Sequence, residues 1–187
     1  MQITDLKTLD YPPFTDDLEE AKSHLDKYGM ALIKDVLSQE EVEEMDQRLN
    51  EQFLGEEKYQ VGSKIRGDEG FGIESSEEEK VSRLVWNLIN KGDCFLKLID
   101  HPKILPLIQH MIGERVCLCS MGAHMNGSGN ERMALHQDQW PLVPHPMKFP
   151  FMANVMYLIS DNSPENGGTR LIPVSYTHLT LPTTIEV

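Results

Sequence analysis

The residues best suited to do chemistry in this chain are His136 and Asp138, two apart in the run Met133-Ala-Leu-His-Gln-Asp-Gln-Trp140. Read as a strand, the run sends residues i and i+2 from one face, so imidazole and carboxylate converge while Gln137 points away. A neutral imidazole with a carboxylate suits a divalent first-row ion such as Fe(II). A facial set of two histidines and one carboxylate leaves positions open for oxygen and a chelating co-substrate. Spacing alone carries little weight, because 7 His and 12 Asp in 187 positions give roughly 0.45 His-x-Asp triplets by chance. His24-Leu25-Asp26 repeats the pattern, but on a helix residues two apart do not face each other, and both are expected to be surface groups. The ordinary alternative for His136 is a hydrogen-bonded strand histidine.

Elements of two kinds must position this pair. Leu18, Ala21, Leu25 and Tyr28 recur at steps of three and four, which predicts a helix over 15–28 capped by Thr15 and ended by Gly29. A short apolar strand follows at 30–36. Ser38 with Glu41 forms a capping box opening a second helix, 38–54, whose inner face is Val42, Met45, Leu49 and Phe53. Residues 55–76, with glycines at 55, 62, 67, 70 and 72, read as a mobile loop able to lie over a site, with Lys64, Arg66 and Lys80 at its border. Helical stretches are expected over roughly 77–91 and 93–112, broken near Gly92 and by Pro102 and Pro106. Beyond Gly113 the runs 115–121, 132–140, 151–160 and 169–173 are short, apolar or alternating, and separated by Gly, Asn and Pro. Helices first and strands later predict an α+β fold, N-terminal helices packed on an antiparallel sandwich or jelly roll.

Length and charge bound the partners. A chain of 187 residues suits one domain. With 17 Lys+Arg against 30 Asp+Glu, a net charge of −13 repels phosphate backbones and anionic lipid, so neither nucleic acid nor a membrane is an expected partner. There is no apolar run of spanning length and no basic-then-apolar start, and the expected location is cytoplasmic. Cys94, Cys117 and Cys119 lack zinc-site spacing and should be thiols. Cys117 and Cys119 are expected on one buried face of a strand.

The segment from His101 to Pro173 resembles the phytanoyl-CoA dioxygenase family. It has His101-Pro102-Lys103-Ile-Leu-Pro-Leu, a turn at Gly113, then Leu135-His136-Gln137-Asp138-Gln139-Trp140. Asn154-Val-Met-Tyr157-Leu-Ile-Ser-Asp161 and Glu165-Asn166-Gly167-Gly168-Thr169-Arg170-Leu-Ile-Pro173 follow. The opening, Tyr28-Gly29-Met-Ala-Leu-Ile with Leu37-Ser38-Gln-Glu-Glu-Val42, is similar to the family's helix, strand and second helix. In order and in combination these motifs are far more specific than any one of them. The resemblance implies a double-stranded β-helix, Fe(II) held by His136 and Asp138, and 2-oxoglutarate as co-substrate. It also implies hydroxylation of a small organic molecule with O2. It places Tyr157 as an aromatic lining the co-substrate pocket and Thr169 as a hydrogen-bonding partner of a co-substrate carboxylate; their plain readings are a core tyrosine and a turn-flanking threonine. Gln137 and Trp140 would border the substrate, although Trp140, before Pro141, reads equally as a packing residue.

The pattern also breaks. The family's second metal histidine and the arginine that pairs with the distal carboxylate of 2-oxoglutarate have no counterpart, and a Pro-Gly-Ser-His stretch is replaced by Pro173-Val174-Ser175-Tyr176. The rest, 177–187, resembles linker read-through fused to an incomplete gene sequence. The expectation is therefore a C-terminally truncated domain over 1–173 with a non-family tail, 174–187, and an inactive, poorly soluble chain. His178 is a weak substitute ligand, and His101, His110, His124 and His145 read as polar surface or structural residues. Two readings compete: a cupin-like protein that binds a metal without oxygenase activity, and an interaction module built on the acidic helices, whose Glu40-Glu41-Val-Glu43-Glu44 run is ordinarily a solvated face. Substrate identity and oligomeric state are not legible.

Overall fold

The computed structural model describes residues 9–61, 63–66, 81–126, 136, 138 and 149–173. A two-residue strand, β1 (Phe14–Thr15), leads into helix α1 (Leu18–Tyr28) and then β2 (Leu32–Ile33), which pairs with β1 in parallel. The cap of α1 is Asp17, whose side chain accepts from the Glu20 amide, and Gly29 ends the helix in the left-handed region. Thr15 is instead buried in β1, where its hydroxyl accepts from the Asp17 amide and donates to Glu20. The inward stripe of α1 is Ala21, His24 and Tyr28. His24 is thus a buried group at 8% exposure rather than the expected surface residue, because the helix turns this side, and not Leu18, toward its neighbours. Asp26 stays exposed and ties α1 to α4 (Leu105–Ile112) through His110 Nε2 at 2.8 Å.

Helix α2 (Gln39–Tyr59) begins at the expected capping box: the Ser38 amide donates to Glu41 Oε2 at 2.8 Å and the Glu41 amide donates to Ser38 Oγ at 3.2 Å. These hydrogen bonds, the backbone one foremost, hold the Glu41 carboxyl below its usual range. The helix runs through Gly55, past the point where a loop was expected. A side chain at Gly55 would meet open space, so nothing there forces a break, and the turn is carried by strong helix formers with Gln52 donating to Glu56 at 2.9 Å. β3 (Ser63–Arg66) also replaces part of that loop, whose remainder at 67–76, like Lys80, lies outside the described residues.

The stretch expected as a helix over 77–91 contains a strand, β4 (Val81–Trp86), followed by a 3-10 turn, Leu88–Asn90. Its β-branched and aromatic residues fit a pleated surface, and it is the central strand of an antiparallel three-stranded sheet, β3-β4-β5, with β5 at Gly122–Met125. A short helix α3 (Asp93–Leu96) precedes α4. Pro106 does not break α4; it lies in its first turn, where the missing N–H costs nothing. Met45 and Phe53 from α2, Val85 from β4, Leu88, Cys94 and Phe95 from α3, and Leu98 form the core, with Leu37, Leu49, Met121, Ala123, Tyr157 and Ile159 packed around it. Each fully buried large side chain among these contributes about 1.5–3 kcal/mol.

The β-rich half differs most from expectation. Residues 115–121 form no strand; the strand begins one residue later, at Gly122. Cys117 and Cys119 are exposed rather than buried, as are Val116 and Leu118, because among the described residues no neighbouring strand pairs with this run to cover it. The segments 151–160 and 169–173 are likewise without strand pairing, and most of 132–140 lies outside the described residues. The described residues form a mixed helix-and-sheet structure with two small sheets, and no double-stranded β-helix closes among them.

Candidate metal centre

His136 and Asp138 lie in irregular backbone, Asp138 within a turn, rather than in the expected strand. Their side chains nonetheless converge: His136 Nε2 stands 3.3 Å from Asp138 Oδ1, with the side chains 36% and 50% exposed. So open a pair adds little to stability, roughly 0–1 kcal/mol. Two donors bound to one ion by bonds of about 2.1 Å at a right angle would stand about 3 Å apart. The observed separation fits such adjacent ligation, and an imidazole with a carboxylate is a fitting donor set for Fe(II). Among the described residues no group of three His, Cys, Asp or Glu side chains gathers as a metal cluster.

The opposite oxygen of the carboxylate has a partner that sequence reasoning did not single out. Asn154 Nδ2 donates to Asp138 Oδ2. An ionised carboxylate offers only lone pairs, so the amide must present its nitrogen. The two oxygens of Asp138 are divided, one toward His136 and one toward Asn154. Asn154 opens the quoted run Asn154–Asp161, and nothing in its spacing to Asp138 marks it; only the tertiary contact does.

The run from Asn154 settles into alternation after its first two residues. From Met156 onward Tyr157 and Ile159 turn inward to the core while Met156, Leu158 and Ser160 face outward; Asn154 and Val155 before them are both exposed. The Tyr157 hydroxyl donates to the Leu98 carbonyl oxygen at 2.9 Å, and its ring meets the edge of His101 with centroids 6.5 Å apart. Burial pushes the phenol up to about 12. Thr169 is exposed, with Oγ1 3.8 Å from Met156 Sδ, on the outward side of the same run. Before Thr169 the chain makes a 3-10 turn, Pro164–Asn166, capped by Ser163, with Gly167 in the left-handed region. The other histidines serve elsewhere. His101 Nδ1 accepts from the Lys103 amide at 3.2 Å, His110 pairs with Asp26, and His124 sits in β5, surface-exposed but with its imidazole pushed down by partial desolvation. His145, His178, Gln137 and Trp140 lie outside the described residues. A recess of about 280 Å³ beside Glu56, Trp86 and Lys91 shares no residue with the centre.

The fold is a mixed helix-and-sheet scaffold on which one imidazole and one carboxylate converge. Comparison with known proteins gives the family: residues 25–182 match that of phytanoyl-CoA dioxygenase (PhyH), and the chain belongs to it. It is also similar to the protein named Dioxygenase af480 of Aspergillus fumigatus, with 28% identity over 159 residues. The alignment covers 85% of this chain and 49% of that protein, so the chain spans about half the length of the curated relative it matches. No solved structure matches it. Among the described residues no helix is long and apolar enough to cross a membrane.

Proposed function

We propose that this chain carries part of the active centre of an Fe(II)- and 2-oxoglutarate-dependent dioxygenase that hydroxylates a small organic substrate with O2. Family membership and the dioxygenase relative support the reaction class. The observation that carries the reading is the 3.3 Å approach of His136 Nε2 to Asp138 Oδ1. His136 and Asp138 would hold the iron. Bound there with 2-oxoglutarate, it would supply the oxidising power for C–H hydroxylation, the co-substrate leaving as succinate and carbon dioxide.

The remaining work falls to the protein's own groups. Thr169, on the side of the run that also carries Asn154, offers a hydroxyl to a co-substrate carboxylate. Tyr157 would contribute its ring, since its hydroxyl is engaged with Leu98, and would back the co-substrate pocket from the core side. The family's jelly roll is the scaffold we infer for the whole protein. A net charge of −13 disfavours a strongly anionic substrate unless a local basic patch receives it.

The test is an anaerobic titration of the purified chain with Fe(II) and 2-oxoglutarate, followed by visible absorption. A charge-transfer band that needs both components, and that disappears in H136A and in D138A, is the expected result. Metal uptake with no response to 2-oxoglutarate would replace this reading with that of a cupin-like metal-binding protein. Uptake unaffected by either substitution would remove the centre from these residues.

A further inference from the structure

We propose that Asn154 is a positioning residue that holds Asp138 as a one-oxygen ligand and so keeps coordination sites free for a chelating co-substrate. The inference rests on the metal-centre reading above and goes beyond it in assigning a residue and a task. A carboxylate next to a divalent cation can bind through one oxygen or chelate through both. Here Oδ1 faces His136 Nε2 at 3.3 Å while Oδ2 accepts the Asn154 amide. To chelate, the carboxylate would have to give up that charge-assisted hydrogen bond, which is stronger than a neutral one. An ion in this centre therefore meets one oxygen. Each carboxylate oxygen kept off the ion leaves a position for a two-point ligand or for oxygen.

The amide can do this only if it is itself fixed. Asn154 is exposed and lies three residues from Tyr157, whose hydroxyl is fastened to Leu98 and whose neighbour-but-one, Ile159, packs on the core. Orientation thus passes from the core through Tyr157 to Asn154 and then to Asp138, which sits in a turn. Partners that orient ligands in this way typically change metal affinity by 10–100-fold when removed.

The experiment is a Co(II) titration of the full chain, read both as affinity and as the intensity of the visible d–d bands, for wild type, N154A and N154L. Leucine keeps the branched heavy-atom outline of asparagine and loses the donor. The expected result is a Co(II) affinity altered by at least about 10-fold in both variants. Their d–d bands should also weaken as the freed oxygen joins the ion and raises the coordination number, with the far-UV circular dichroism unchanged. Should N154A fold poorly, N154L alone decides. Wild-type affinity and an unaltered band in a folded N154L would overturn the role of Asn154 while leaving the centre intact. Failure of the wild type to bind Co(II), or equal binding by H136A, would overturn the centre and this proposal with it.

Discussion

Replacing Tyr157 by phenylalanine isolates the latch between the Asn154 run and the core, and its effect should depend on pH. At neutral pH the substitution removes the hydrogen bond to the Leu98 carbonyl, a loss of about 1 kcal/mol. At alkaline pH a second effect enters. In the unfolded chain the phenol ionises at its ordinary value of 10.0, whereas in the folded chain burial holds it protonated to about 12. Over that interval the folded state binds more protons than the unfolded state, so stability falls as pH rises. Tyr157's contribution is complete below pH 10 and is lost by the folded value. At ~1.36 kcal/mol per pH unit the interval caps the loss at roughly 2.7 kcal/mol. Tyr157 keeps part of its surface in water, and solvent screening reduces the expected loss to about 1 kcal/mol. Urea unfolding of both proteins from pH 8 to 11.5 should show wild type ahead by about 1 kcal/mol at the lower end, with the gap closing at the upper end. Subtracting the variant removes the other four tyrosines and the lysines from the comparison. A gap that stays constant across the range would refute the argument, as would a Tyr157 phenol that titrates at its ordinary value by ultraviolet absorbance.

The packing of Cys94 and of the Glu56–Lys91 pair leads to two further expected outcomes. In the native protein Cys117 and Cys119 should react with a thiol reagent at once, and Cys94, buried and with its thiol pushed up by that burial, only after denaturant is added; early modification of Cys94 by peptide mapping would contradict the packing of α3. Burial pushes the Glu56 carboxyl up, but hydrogen bonds from Lys91 and Gln52 more than offset it and the net direction is down. Its stabilising effect is therefore present above the usual glutamate range and is lost as pH falls from that range through the depressed folded value. K91M should cost about 1–2 kcal/mol at pH 7 and E56Q should flatten the acid limb of a thermal-unfolding series, whereas an unchanged limb would show that the pair does not set it.

The parts legible in the sequence were those governed by local rules. The Ser38–Glu41 box and the left-handed cap at Gly29 are short-range hydrogen-bond patterns, and both stand where the spacing puts them. Family membership was legible for another reason: several motifs recur in one order. The misplaced elements were decided by distant contacts. Val81–Trp86 is a strand because β3 and β5 flank it, and no window of the sequence contains all three. His24 was misread because polarity argues for the surface, while the direction in which α1 packs is a tertiary fact. His136 and Asp138 do stand side by side, as the two-residue spacing suggests, but in irregular backbone with a turn at Asp138 rather than on a pleat. Asn154, sixteen positions along, carried no signal of its own.

The corner between Ser163 and Gly168 has a consequence for the lineage of this chain. A methyl group at Gly168 would sit 2.7 Å from the Ser163 carbonyl oxygen, the same atom that accepts the Gly168 amide at 2.7 Å. Backing away to admit the methyl would sacrifice the bond, so neither adjustment is cheap. One arm leaving the corner contains Tyr157 and Ile159, seated on the core; the other contains Leu171, whose carbonyl receives the Tyr11 hydroxyl at 2.9 Å, and the fully buried Pro173. With both arms clamped, the elbow between them has nowhere to swing, and mutational drift at Gly168 should be purged even though the residue touches no reactant.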